Sequence, residues 1–215
     1  MSHATSGIIV LFTSEQEITL SMQTTHYAPL HLCVKTLMMG LILTALCFTF
    51  DASAQKWRGP DKSPLDMTSL KKSRTSPLIA RVIYSRPQKK GRTIFGELVP
   101  YGKLWRTGAN EATEVTFYRD VTVGGKAIKA GSYALFTIPQ ADQWTVILST
   151  KPHQWGSYGH QESDEAARIQ VPVKKTAEPL EYFSISLGMN ENDGVMYLGW
   201  DNVMVAVPIG LGTAK

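Results

Sequence analysis

Val121–Thr150, VTVGGKAIKAGSYALFTIPQADQWTVILST, decides the fold class of this 215-residue chain. Val121-Thr122-Val123 and Lys126-Ala127-Ile128 flank Gly124-Gly125. A two-glycine joint between short β-rich runs predicts a hairpin, because glycine tolerates the positive φ that two-residue turns need. Ser132–Ile138 and Trp144–Thr150 then read as a strand pair around a turn at Pro139–Gln143, with Trp144, Val146 and Leu148 on one face by the period of two. Trp144 therefore belongs in a core, as does Trp200 inside a later strand.

Outward from this stretch the same pattern recurs. Leu78–Tyr84, Glu114–Tyr118, Ile169–Val173, Leu180–Leu187, Val195–Trp200 and Val203–Val207 are strand candidates, with Asp193-Gly194 as a turn signal. Ile94–Leu98 and 162–168 can each make a helical turn, but no long amphipathic helix is present. Short strands at this spacing imply an all-β fold: a single-domain antiparallel β-sandwich, jelly-roll-like, of eight or nine strands with long loops, over residues 78–215.

The first third reads differently. Lys35, the apolar run Thr36–Phe50 and Ala52-Ser53-Ala54 have the order of a signal peptide cleaved after Ala54. The run is shorter than the roughly 20 residues of a membrane-spanning helix. No transmembrane anchor is expected after cleavage; an uncleaved anchor is the rival reading. Acylation of Cys47 is disfavoured by Leu46 and Phe48 around it. Residues 1–34 suit neither export nor folding, with Glu15 and Glu17 out of place in a signal, and point to a translation start at or near Met22. Residues 55–77, with Pro60, Pro64 and Pro77 and no clear period, read as a flexible tether. The expected location is the periplasm or the extracellular space. Cys33 and Cys47, the two cysteines, both precede Gln55, so the exported domain has neither a disulfide nor a thiol.

The chain has 22 Lys and Arg against 18 Asp and Glu. Signal removal takes Lys35 but also Glu15, Glu17 and Asp51, so the surplus grows. It favours anionic partners. It does not imply nucleic acid, since no basic helix or binding motif accompanies it.

Chemistry-bearing residues concentrate in Tyr84–Thr113, YSRPQKKGRTIFGELVPYGKLWRTGANEAT. Arg86, Lys89, Lys90, Arg92, Lys103 and Arg106 fall within 21 of its residues, against Glu97 as the one acid in that span. Guanidinium groups offer a planar fork of donors that fits carboxylate or phosphate. An anion-binding surface competes with a solvated loop holding a few structural ion pairs, of which Arg106–Glu111 is the first candidate. Trp105 and Trp155 sit in predicted loops, with Tyr101 and Tyr158 nearby, and read equally as a stacking platform for sugar rings or as core. Glu111 beside so many cations suits a counter-ion better than a general base. His153 and His160 are the histidines of the exported part; with Glu162 and Asp164 they supply too few nitrogen or sulfur ligands for a zinc site, so no metal is expected. Ser85 has no base near it in sequence, and there is no nucleophile elbow, phosphate loop or Rossmann fingerprint, so no cofactor is expected either.

Several runs carry a resemblance. Tyr84-Ser85-Arg86-Pro87, Ile94-Phe95-Gly96, Leu98-Val99-Pro100-Tyr101-Gly102-Lys103, Trp105 to Thr113, Ala130 to Pro139, Trp144 to Leu148 and Gln154-Trp155-Gly156 resemble the signature of an exported bacterial family, domain of unknown function 2911. The similarity spans about Ser76 to Ile209. It implies an exported all-β domain and no particular activity.

The functional expectation is therefore a binding protein for a small anionic or saccharide ligand. The site expected for it holds Arg86, Arg92, Trp105, Arg106, Asn110, Glu111 and Trp155. The alternatives are a hydrolase using Glu111 and His153, and a structural or partner-binding protein of the cell envelope.

Overall fold

The computed structural model describes residues 34–35, 37–41 and 56–212. Met1–Trp57 and Arg58–Lys215 form separate units. In the first, residues 34–35 and 37–41 are helical. The signal-peptide reading, its cleavage site and the start near Met22 lie mainly outside the described residues. Among those described, no helix is long and apolar enough to cross a membrane.

The second unit is nearly all β. Its strands are β1 (Leu65–Leu70), β2 (Ala80–Ser85), β3 (Thr113–Phe117), β4 (Val121–Val123), β5 (Lys126–Ile128), β6 (Gly131–Pro139), β7 (Gln143–Ser149), β8 (Glu165–Asn190) and β9 (Asp193–Gly210). They form one open antiparallel sheet in the order β1-β2-β3-β6-β7-β8-β9-β4-β5. The antiparallel all-β class expected from the sequence is what the structure shows, as this single nine-stranded sheet.

Cross-strand partners share a face. Val82, Val115 and Tyr133 align across β2, β3 and β6 and are buried, and Leu135, Leu148 and Ala167 continue that face across β6, β7 and β8. Phe183, Ile185, Met196, Leu198 and Trp200 of β8 and β9 join the same cluster. Both ends of the sheet therefore contribute to one core. The opposite face carries a smaller cluster of Ala112, Ala134, Phe136 and Ile147.

Two elements differ from expectation. Residues 65–70, placed by sequence in the tether, form β1 and pair with β2 from Leu65↔Ser85 to Leu70↔Ala80. An edge strand shows its outer face to solvent, and Leu65 and Met67 are exposed while Leu70 reaches the core, so no strong period exists to read. The two strands expected at 169–173 and 180–187 are parts of one 26-residue strand, β8. Its register shifts between Lys175 and Leu180 and again before Ser184. Such irregularities bend a strand, and they fall around Pro179, whose ring nitrogen has no proton for the ladder. The stretch 162–168 starts as a single 3-10 turn, Glu162–Asp164, before β8 begins.

Candidate functional site

Beyond β2 the basic loop is pinned, residue by residue, to β8. The Lys89 amide donates to the Glu181 carbonyl at 2.7 Å, and the Phe183 amide donates to the Pro87 carbonyl at 3.0 Å. Lys90 has φ 48°, and its amide donates to the Glu181 carboxylate at 2.9 Å. Lys89 pairs with Asp201 at 3.0 Å. Arg92 turns back on its own loop, with Nε donating to the Lys89 carbonyl at 3.0 Å and a terminal nitrogen to the Gln88 carbonyl. The chain then makes a tight turn in which Val99 donates to the Ile94 carbonyl at 2.8 Å, and both side chains are buried.

Trp105–Thr113 forms the opposite wall. Trp105 exchanges backbone hydrogen bonds with Thr137 at 2.7 and 2.9 Å. Its indole nitrogen donates to the Gly108 carbonyl at 3.1 Å, and its ring stacks on Trp200 and meets Phe95, Trp144 and Phe183 edgewise. Thr107 adopts φ 57°, which a β-branched residue takes only when its surroundings hold it there. They do: its hydroxyl lies 3.1 Å from that of Thr137, and its carbonyl accepts from the Thr113 hydroxyl. Asn110 is also left-handed, at φ 59°, and its side-chain amide donates to Asp61 at 3.2 Å. Two hydrogen bonds, from the Ser63 amide first and then from Asn110, hold the Asp61 carboxyl below its usual value.

Between these walls lies a cleft of about 510 Å³. Pro87, Gln88, Lys90 and Arg92 line one side and Leu98 and Val99 another. Trp105, Arg106, Gly108 and Ala109 complete the ring with Trp200 of β9, and Lys62 and Ser63 come from the segment before β1. Four of the lining residues are cationic and none is acidic. Arg106 differs from Arg92, the other guanidinium of the cleft. Its buried Nε has no acceptor in the protein, and its side chain enters no ion pair or hydrogen bond among the described residues.

The structure divides the seven expected site residues. Arg92, Trp105 and Arg106 line this cleft. Arg86 does not. It pairs with Asp66 at 2.9 Å, donates to the Phe183 carbonyl at 3.2 Å and the Ser184 hydroxyl at 2.8 Å, and lies over the Tyr182 ring, so its whole fork ties β1 and β2 to β8. Asn110 adjoins the cleft through its bond to Asp61. Glu111 and Trp155 form a backbone bridge with each other and face elsewhere. Glu111 lines a cleft of about 300 Å³ with Ser85, Glu114 and His153. Trp155 lines an open depression of about 570 Å³ with Pro152, His153 and Gln154.

The Arg106–Glu111 ion pair does not form. Thr107 and Asn110, both left-handed, and Gly108 between them turn the chain, and Glu111 lines a different cleft from Arg106. The even reading of the two loop tryptophans also resolves: Trp105 is core at 8% exposure, whereas Trp155 is 65% exposed. Trp144 and Trp200 are core as expected. His153 meets Glu114 at 2.8 Å and His160 meets Glu165 at 3.0 Å, and among the described residues no group of three or more His, Cys, Asp or Glu is placed to hold a metal ion. Sequence reasoning missed Lys62, Ser63 and Trp200 as cleft residues. The first two lay in the presumed tether, and Trp200 gives the cleft one part of a ring that is otherwise core.

The family described as a protein of unknown function, DUF2911, matches residues 63–209. No curated protein and no solved structure matches the chain.

Proposed function

The chain belongs to the DUF2911 family, whose description names no activity, and from the geometry of its cleft we propose that it binds a small organic anion there. The observation that carries this reading is the unpartnered Arg106 guanidinium in a cleft lined by Lys62, Lys90 and Arg92 and by no carboxylate. A carboxylate or phosphate meeting it gains charge-assisted hydrogen bonds, the strong kind, in a partly desolvated place. A saccharide is the weaker fit. Sugar sites stack rings on open aromatic faces, but Trp105 and Trp200 lie against each other, 6.0 Å apart and nearly parallel.

Isothermal titration with benzoate, octanoate and inorganic phosphate tests the proposal. At least one should bind, and Arg106→Ala should weaken it tenfold or more without lowering the melting temperature. Arg106→Lys should restore it only in part, because an ammonium lacks the planar fork. Affinity indifferent to Arg106, or no binding of any of the three, overturns the reading.

A hydrolase reading has its own support in the smaller cleft, where Glu114 orients His153 through Nδ1 at 2.8 Å and Glu111 and Ser85 line the same walls. Hydrolysis of a nitrophenyl ester panel that disappears in both Glu111→Gln and His153→Gln would support it. Export is likewise proposed, on Lys35, the apolar run and Ala52-Ser53-Ala54. Mass spectrometry of protein from its native host should find Gln55 at the amino terminus.

A further inference from the structure

Resting on the anion-binding reading, we propose that the ligand of the 510 Å³ cleft is amphipathic: a single carboxylate head for Arg106 joined to an apolar body.

The headgroup argument counts what remains free. Arg92 already spends Nε and a terminal nitrogen on the Lys89 and Gln88 carbonyls. Arg106 spends nothing. One whole guanidinium fork matches one carboxylate bidentately, and the rim lysines add field without fixing a second group.

The body argument rests on what the rest of the cleft offers. Trp105 and Trp200 present carbon only, since their indole nitrogens donate to the Gly108 and Glu181 carbonyls. Val99 is buried beside them and Leu98, 44% exposed, extends the apolar surface to the rim. No lining carboxylate is present to accept from ligand hydroxyls. The volume lies within the roughly 300–1,000 Å³ of sites for small organic molecules. A bare inorganic anion would fill little of it and leave Leu98 and the small part of Trp105 that reaches solvent wet. An acid with a chain or ring covers them and gains by their burial.

The test is a chain-length series of acetate, butanoate, hexanoate and octanoate, below micelle-forming concentrations, by calorimetry and by the intrinsic tryptophan fluorescence of the protein. Octyl glucoside supplies the same chain without the charge. Each added methylene should tighten binding roughly threefold, so octanoate should exceed butanoate by tens of fold, and octyl glucoside should bind at least tenfold more weakly than octanoate. Leu98→Ser, at an exposed position that leaves folding intact, should flatten the chain-length gain while sparing acetate. If acetate binds through Arg106 and the chain adds nothing, the amphipathic ligand is overturned and the anion reading stands. If octyl glucoside binds as tightly as octanoate, the carboxylate head is overturned. If no acid in the series binds, the amphipathic carboxylate is overturned, and the anion reading falls with it only if benzoate and inorganic phosphate fail to bind as well.

Discussion

A Cβ on Gly108 would stand 3.0 Å from the carbonyl oxygen of Ser85 and 3.3 Å from the Thr113 hydroxyl. The loop that carries Arg106 thus passes over the end of β2 with no room for a side chain. The obstacle is backbone, which cannot rotate away, and the glycine also holds φ 156°. Gly108→Ala should destabilise the protein by roughly 1–3 kcal/mol, read as a lowered midpoint in urea. It should also weaken anion binding, since Arg106 must shift with its loop. A stability unchanged within error would show that the loop relaxes freely.

Arg106 and Glu111 should behave as strangers. Removing one partner of a buried ion pair costs about 3–5 kcal/mol, but these two side chains line different clefts. Arg106→Ala and Glu111→Ala should each be mild, and their effects should sum to that of the double mutant within about 0.5 kcal/mol. Thermal melts of the three variants check this; a rescue in the double mutant would mean that the two do meet.

Leu70→Ala should cost roughly 2–5 kcal/mol. Leu70 is 1% exposed at the end of β1, and its side chain packs against Gly194 of β9. A chain beginning at Ser76, without β1, should melt well below the full domain, because the Arg86–Asp66 pair and the β1–β2 ladder go with it. Equal melting temperatures would return residues 65–70 to the status of a tether.

Tyr84 sets an alkaline limit. Burial is the main cause that raises its phenol above the usual tyrosine value of 10.0, against a hydrogen bond from Ile185 and the charge of Arg86, which lower it. The native state then holds this proton more tightly than the unfolded chain does. Its contribution to stability is complete below pH 10 and falls as pH rises beyond it. Tyr84→Phe should make that alkaline decline shallower. The variant should also lose roughly 1–3 kcal/mol at neutral pH, since the Ile185 amide donates to the Tyr84 hydroxyl at 3.0 Å and would be left without an acceptor. Melting curves from pH 7 upward separate the two effects.

What the sequence made legible follows from how local each signal is. The β4–β5 hairpin was readable because Gly124 and Gly125 both take positive φ, 53° and 83°, for a reason contained in two residues. Trp144, Val146 and Leu148 announced the core face of β7 by alternation alone. Asp193-Gly194 misled: the turn falls at Glu191 and Asn192, and Gly194 is inside β9. A Cβ there would come 2.5 Å from Leu70, so its smallness serves a contact with a strand more than a hundred residues earlier, which no local pattern reveals. The candidate site was half legible for the same reason. Tyr84–Thr113 was recognisably special, but most of its marked residues proved to be holding one another: Trp105 to Gly108, Thr107 to Thr113, Arg86 to Asp66. Only the three-dimensional account of partners shows that Arg106, unlike Arg86 and Arg92, keeps its guanidinium free.

The position of the β4–β5 hairpin has a consequence for the order of assembly. Thr122 pairs with Gly210 and Val123 with Ile209, while β3 and β6, its neighbours in sequence, pair with each other and leave it outside. During synthesis the hairpin emerges early and can close its own turn at once. Its place in the sheet does not exist until the ribosome has released β9, so it must wait with Val121, Val123 and Ile128 uncovered. Closing so long a loop carries an entropic cost that short-range contacts cannot offset. The seating of this hairpin should be a late step of folding, and substitutions at Ile209 should act chiefly on how fast the finished sheet comes apart.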